Sequence, residues 1–116
     1  MMDELIREVQ ASVENEYGRA AARFGETNNS NHESYAVILE EFQEALNEES
    51  RAGLGLNVFW DAVKCDEPDQ DKVTALLDLQ ARATLAACEF IQVAAMARKA
   101  VVTINQKYPP LTGGCG

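Results

Sequence analysis

Residues 71–107, DKVTALLDLQARATLAACEFIQVAAMARKAVVTINQK, contain neither proline nor glycine. Proline breaks a helix interior by removing a backbone donor and clashing with the preceding turn. A run free of both residues therefore predicts one continuous helix. At about 1.5 Å per residue it would be roughly 55 Å long, beyond the usual range for a globular helix. Its centre, ARATLAACEFIQVAAMARKA, is rich in alanine, so neighbouring helices can approach closely. Tyr108, Pro109 and Pro110 stop it, and Asp69 or Asp71 can cap its start.

Working outward, the same helical period fills the chain. Leu5, Val9, Val13, Tyr17, Ala21 and Phe24 recur every three or four residues, which predicts an amphipathic helix over 2–24. Gly25 stands where a C-cap glycine belongs, and GETNNSN is a polar loop. Ser30 and Glu33 fit a capping box for a second amphipathic helix over 31–52. Tyr35, Ile38, Leu39, Phe42 and Leu46 form its apolar side. Gly53 and Gly55 read as its end. A short helix over 56–65 holds Val58, Phe59, Trp60 and Val63, and CDEPDQD is a turn. Sustained alternation of β-branched residues and Asn-Gly hairpin turns are both missing. The expectation is an all-α helical bundle with two amphipathic helices, a short helix and one long C-terminal helix. It forms a single domain over 1–108, with a flexible tail over 109–116.

The bulk numbers bound the partners. The 116 residues are one domain's worth and can bury a core unaided. A net charge of -9 gains nothing from phosphate backbones through counterion release, so extended nucleic acid is not an expected partner. Cys65, Cys88 and Cys115 are widely spaced and His32 is the lone histidine, which argues against a zinc site. Free thiols suggest a reducing compartment. The start, MMDELIREVQ, has no apolar signal core, and no apolar run approaches the roughly 18 residues that span a bilayer. A cytoplasmic protein with no membrane segment is expected.

The charge is concentrated. ILEEFQEALNEE, residues 38–49, carries five glutamates. At about 100° per residue, Glu40, Glu41, Glu44 and Glu48 fall in a sector beside the apolar stripe. Lysine or arginine at i+4 would offset Glu40, Glu41 and Glu44, but Glu44, Ala45 and Glu48 stand there. Magnesium takes oxygen ligands, and carboxylates at i, i+3 or i+4 can supply two or three. The long helix offers Glu89, with Arg82, Gln92, Met96 and Lys99 on its face. The plainer alternative is an acidic, solvated helix face that docks a basic partner. Arg82, Arg98 and Lys99 can meet phosphate oxygens or be ordinary surface charges. Phe59 and Trp60 read as core, Tyr17 and Tyr35 as core-edge residues, and Cys88 as a small buried hydrophobe.

The stretch HESYAVILEEFQEA, followed by EFIQVAAMARKA, resembles the MazG-like all-α nucleotide pyrophosphohydrolases, in the form of small phage and prophage variants. The likeness covers about residues 30–100. The family pattern is E-E-x-x-E on one helix and E-x-x-D on a facing one, together holding magnesium against the phosphates of a nucleoside triphosphate. The resemblance implies Glu40, Glu41, Glu44 and Glu89 as metal ligands, magnesium as cofactor, and a homo-oligomer, dimer or tetramer. Gln92 stands where the family has aspartate. An amide brings no charge, so the ion would bind more weakly and activate water less.

Three functions follow as expectations. The first is a binding protein that sequesters a nucleotide or nucleotide-derived signal in phage anti-defence, with Gln92, Arg98, Lys99 and Arg82 on the ligand. The second is a magnesium-dependent nucleoside triphosphate pyrophosphohydrolase. The third is an acidic helical interaction module.

Overall fold

The computed structural model describes residues 1–107; the expected tail over 109–116 lies outside the described residues. These contain three helices and no strand: α1 Met2–Phe24, α2 Asn31–Lys64 and α3 Asp69–Lys107. The all-α fold is as the period predicts. None of the helices is long and apolar enough to cross a membrane.

The long helix starts at Asp69, where Asp69 and Asp71 complement the positive end of the helix dipole. The expected helices over 31–52 and 56–65 are one helix, α2, and this corrects the four-helix reading. Gly53 and Gly55 lie inside it. Gly55 is buried because α3 passes close by: a Cβ there would sit 3.4 Å from Asp78 Oδ2 and 3.5 Å from Leu79 Cα. The glycine serves approach, not termination. True stops are chemical. Gly25 ends α1 at φ 96 and donates to Ala21 O at 2.9 Å. Asp66, at φ 49, turns the chain out of α2 ahead of Pro68. Ser30 Oγ accepts from the Glu33 N–H at 3.1 Å, as the capping box requires. The Glu33 carboxylate reaches back to Asn29 instead of Ser30, accepting from its N–H at 3.2 Å and its Nδ2 at 3.0 Å.

The chain divides into two compact units, Met1–Glu41 with Ile91–Gly116, and Phe42–Phe90. In the first, Ala95, Lys99 and Thr103 of α3 are buried together with Asn28 and Ser34. Half-buried Val13, Tyr17 and Ala21 of α1 complete the packing, whereas Leu5, Val9 and Phe24 of the same stripe are exposed.

The second unit is a hairpin of the end of α2 and the start of α3. Its seam is made of small residues: Ala45, Gly55 and Ala62 of α2 and Ala75 of α3 are buried. The half-buried and buried positions of α2 run 45, 48, 52, 55, 59, 62, and those of α3 run 72, 75, 79, 82, 86, 89. This alternation of three and four is the seam of a left-handed helix pair. The large residues expected in the core are elsewhere. Phe42, Leu46 and Trp60 are exposed, as are Tyr35, Leu39 and Cys88. Alanine and glycine fill the seam because they let the two backbones approach.

Candidate functional site

Two sites emerge, one in each unit. In the first, the loop between α1 and α2 is stapled down by Asn28. Its backbone N–H donates to Thr103 Oγ1 at 2.9 Å, and its Nδ2 donates to Ser34 Oγ at 2.8 Å. Both are buried bonds, so these two donors of Asn28 are satisfied within the protein. Beside this staple opens a cleft of about 430 Å³, whose walls include Phe24, Asn29, Glu33, Glu41, Gln92 and Lys99.

Lys99 is the unusual member. It is 6% exposed and lines the cleft with Glu33 and Glu41. Its ammonium can meet an anionic group in the cleft. Gln92 is half-buried and donates from Nε2 to Glu16 Oε2 at 2.8 Å. Glu16 in turn accepts from Arg19. Arg98 is drawn to α1 instead of the cleft: its Nε meets Glu14 Oε1 at 3.0 Å and its guanidinium lies 5.4 Å from the centre of the Tyr17 ring. Of the four residues expected on a ligand, Gln92 and Lys99 line this cleft and Arg98 does not.

In the second unit a smaller hollow is lined by Glu44, Asn47, Glu48, Arg51 and Glu89. Glu44 and Glu89 bring carboxylate oxygens within 4.8 Å of each other. Burial pushes the Glu89 carboxyl above the ordinary carboxylate range; the charge of Glu44, a hydrogen bond with Glu44 and the charge of Glu48 push the same way. Glu48 accepts from Arg51 Nη1 at 2.8 Å through one oxygen. Its other oxygen, Oε2, is buried with no hydrogen-bond partner. The group can hold a proton between Glu44 and Glu89, or a cation.

Each sequence motif is divided between the units. Glu40 and Glu41 belong to the first and Glu44 to the second; Glu89 belongs to the second and Gln92 to the first. Glu41 precedes Glu44 by three residues on α2 and lines the cleft. Glu40 is exposed and lines neither the cleft nor the hollow. Arg82 pairs with Asp78 at 3.5 Å, beside Gly55 and away from the hollow's lining.

Sequence reasoning missed Asn28, Asn29 and Glu33 as cleft residues, and Glu48 and Arg51 as partners of the carboxylates. The asparagine-rich loop GETNNSN and the i+3 spacing of Glu48 and Arg51 were the available signals. Comparison of the chain with family models, with curated proteins and with solved structures gives no match.

Proposed function

We propose that this chain holds a nucleotide or nucleotide-derived signal in the cleft beside Lys99, as a homo-oligomer and without efficient turnover. A cleft with Lys99 in its wall carries this reading. The cleft volume of about 430 Å³ falls in the range of small-molecule sites. Asn29 and Gln92 bring neutral amide donors, and exposed Phe24 offers an apolar wall on which a base can stack. The likeness of ILEEFQEA and EFIQ to the MazG-like pattern supports a phosphate-bearing ligand, and its phage-type wording supports a sequestering, anti-defence role.

That likeness also implies magnesium. The residues of the second unit fit a divalent cation, because Glu48 Oε2 lacks a partner and Glu44 crowds Glu89. Glu44, Glu48 and Glu89 would hold the ion, with Glu41 and Glu40 earlier on α2. When bound, magnesium would neutralise phosphate charge and lower the pKa of a coordinated water. The chain's own contribution is to orient carboxylates: the Arg51 contact fixes Glu48, and the seam packing of α2 on α3 fixes Glu44 against Glu89.

The paired carboxylates favour a second reading, magnesium-dependent pyrophosphohydrolysis. Incubation with a panel of nucleoside triphosphates and cyclic nucleotides, in magnesium or in EDTA, followed by chromatography separates the readings. The binding reading expects retention without products, abolished in Lys99→Ala while helicity by circular dichroism is kept. Cleavage between the α and β phosphates supports the enzyme instead. Neither retention nor cleavage leaves the acidic interaction module.

A further inference from the structure

We infer that the cleft of the first unit selects a nucleotide with a single negative charge, a cyclic phosphodiester, and rejects a chain of phosphates. This rests on the nucleotide reading of the same cleft and narrows it. Every residue of the cleft wall belongs to one unit, Met1–Glu41 with Ile91–Gly116. The charged residues of that wall are Glu33, Glu41 and Lys99, two carboxylates against one ammonium, a net charge of -1. At the rim, Arg23 lies over Phe24 with its guanidinium 5.2 Å from the ring centre, and Glu26 in the adjoining loop carries the opposite charge. Glu16, which accepts from Gln92, is paired with Arg19. Arg98 could have balanced a longer phosphate chain, but Glu14 holds it on α1. The neighbours therefore cancel in pairs, and the negative balance of the wall stands, in a chain of net charge -9.

The acidic groups are not easily moved aside. Glu33 is half-buried and holds the loop: one oxygen accepts from the Asn29 N–H at 3.2 Å and the other from Asn29 Nδ2 at 3.0 Å. Turning it out of the cleft would break both bonds. Glu41 is half-buried on α2. An incoming ligand thus meets fixed negative charge beside the buried Lys99, where salt screens charges less than at an open surface. A triphosphate adds charge with each phosphoryl group. One ammonium answers one charge, and the rest face Glu33 and Glu41, a like-charge contact that lowers affinity. A cyclic phosphodiester brings one charge for Lys99 and carries hydroxyl and amino hydrogens that carboxylates can accept. Its base can stack on the exposed Phe24 ring. The cleft volume of about 430 Å³ lies near the lower end of the range of small-molecule sites, which also favours the compact ligand.

Calorimetry on the full chain tests this, with adenosine, guanosine, cytidine and uridine, their 3′,5′-cyclic monophosphates and their 5′-triphosphates as probes. For at least one base, the cyclic monophosphate should bind at least about tenfold tighter than the triphosphate, in EDTA and in magnesium alike. It should also bind tighter than its nucleoside. Lys99→Met keeps the apolar stem and removes the charge, so it should bring the cyclic monophosphate down to the level of the nucleoside while the melting temperature shows that the fold is kept. Glu41→Gln, measured in EDTA, should raise triphosphate affinity more than that of the cyclic monophosphate. A triphosphate bound as tightly as the cyclic monophosphate of every base, in either buffer, overturns the charge selection and leaves the nucleotide reading standing. A folded Lys99→Met variant that still prefers the cyclic monophosphate to the nucleoside overturns the role given to Lys99. Binding of none of the probes overturns the nucleotide reading and this inference with it. Should Lys99→Met not fold, the wild-type series decides the charge selection by itself.

Discussion

The side-chain amide of Gln92 donates to Glu16 Oε2 at 2.8 Å, joining α3 to α1 across 76 positions of the sequence. An aspartate at this position, as in the MazG-like pattern, would set a second carboxylate against Glu16 and remove the donor. Placing that pattern's residue here therefore carries a structural cost that the pattern alone does not reveal. Gln92→Asp should destabilise the chain by about 1–3 kcal/mol, the cost of losing a hydrogen bond to a charged group. Adding Glu16→Gln should recover most of that loss. Chemical denaturation of the two single variants and the double variant measures the coupling. Additive losses would show that the Gln92–Glu16 bond contributes nothing.

Glu89 gives the apo chain a pH dependence of definite sign. Burial and the neighbouring Glu44 and Glu48 raise its carboxyl above the ordinary range. Below that range the group is protonated in folded and unfolded chains alike, and the stability it contributes is fully present. As pH rises through the raised value, the folded chain must release a proton it holds more tightly than the unfolded chain does, and stability falls. In EDTA, Glu89→Gln should therefore match the wild type in acid and melt increasingly above it as pH rises toward neutral. Melting curves across about pH 4–8 bracket the ordinary carboxylate range and test this. A gap that stays constant with pH assigns the effect to packing instead.

Local chemistry was legible in the sequence, and long-range pairing was not. Gly25 and Ser30 act where their cap chemistry places them, whereas the Glu33 carboxylate caps Asn29, one residue earlier than the box predicts. Gly53 and Gly55 misled, because a glycine that admits a neighbouring helix looks the same, in sequence, as one that ends its own. The apolar period located stripes on α2 but could not say which stripe meets its own chain. Phe42 and Leu46 read as core, yet Ala45 between them is the buried residue. Lys99 and Gln92 were identifiable from their place on the motif helix. The Asn28 staple, which shapes their cleft, joins residues 75 apart and leaves no local signature.

The glycines separate these roles experimentally. Gly18 lies inside α1 with nothing within 4 Å of an added Cβ. Gly18→Ala should stabilise the chain by about 0.5–1 kcal/mol, the helix-propensity difference. At Gly55 the same methyl would touch Asp78 and Leu79 at ordinary contact distance, so Gly55→Ala should be close to neutral. Gly55→Leu has no room and should cost about 1–3 kcal/mol by overpacking. Urea midpoints rank the three. A stabilising Gly55→Leu would mean that α2 and α3 are not in close contact there.

Thr103 connects the loop to the cleft. It is fully buried, accepts from the Asn28 N–H at 2.9 Å, and donates its own hydroxyl hydrogen to Lys99 O at 2.8 Å. One hydroxyl thus ties the loop to the turn of α3 that carries Lys99. Thr103→Val keeps the shape and removes the hydroxyl, which leaves a buried N–H without an acceptor. The expected loss is about 1–3 kcal/mol, with faster hydrogen exchange at the Asn28 amide and weaker retention of any ligand in the cleft. Thr103→Ser keeps the hydroxyl and should restore the slow exchange, even where the missing methyl lowers stability. Exchange measured amide by amide distinguishes the two effects. If the Asn28 amide stays equally protected in Thr103→Val, the loop is held by the Asn28–Ser34 bond, and Thr103 serves packing alone.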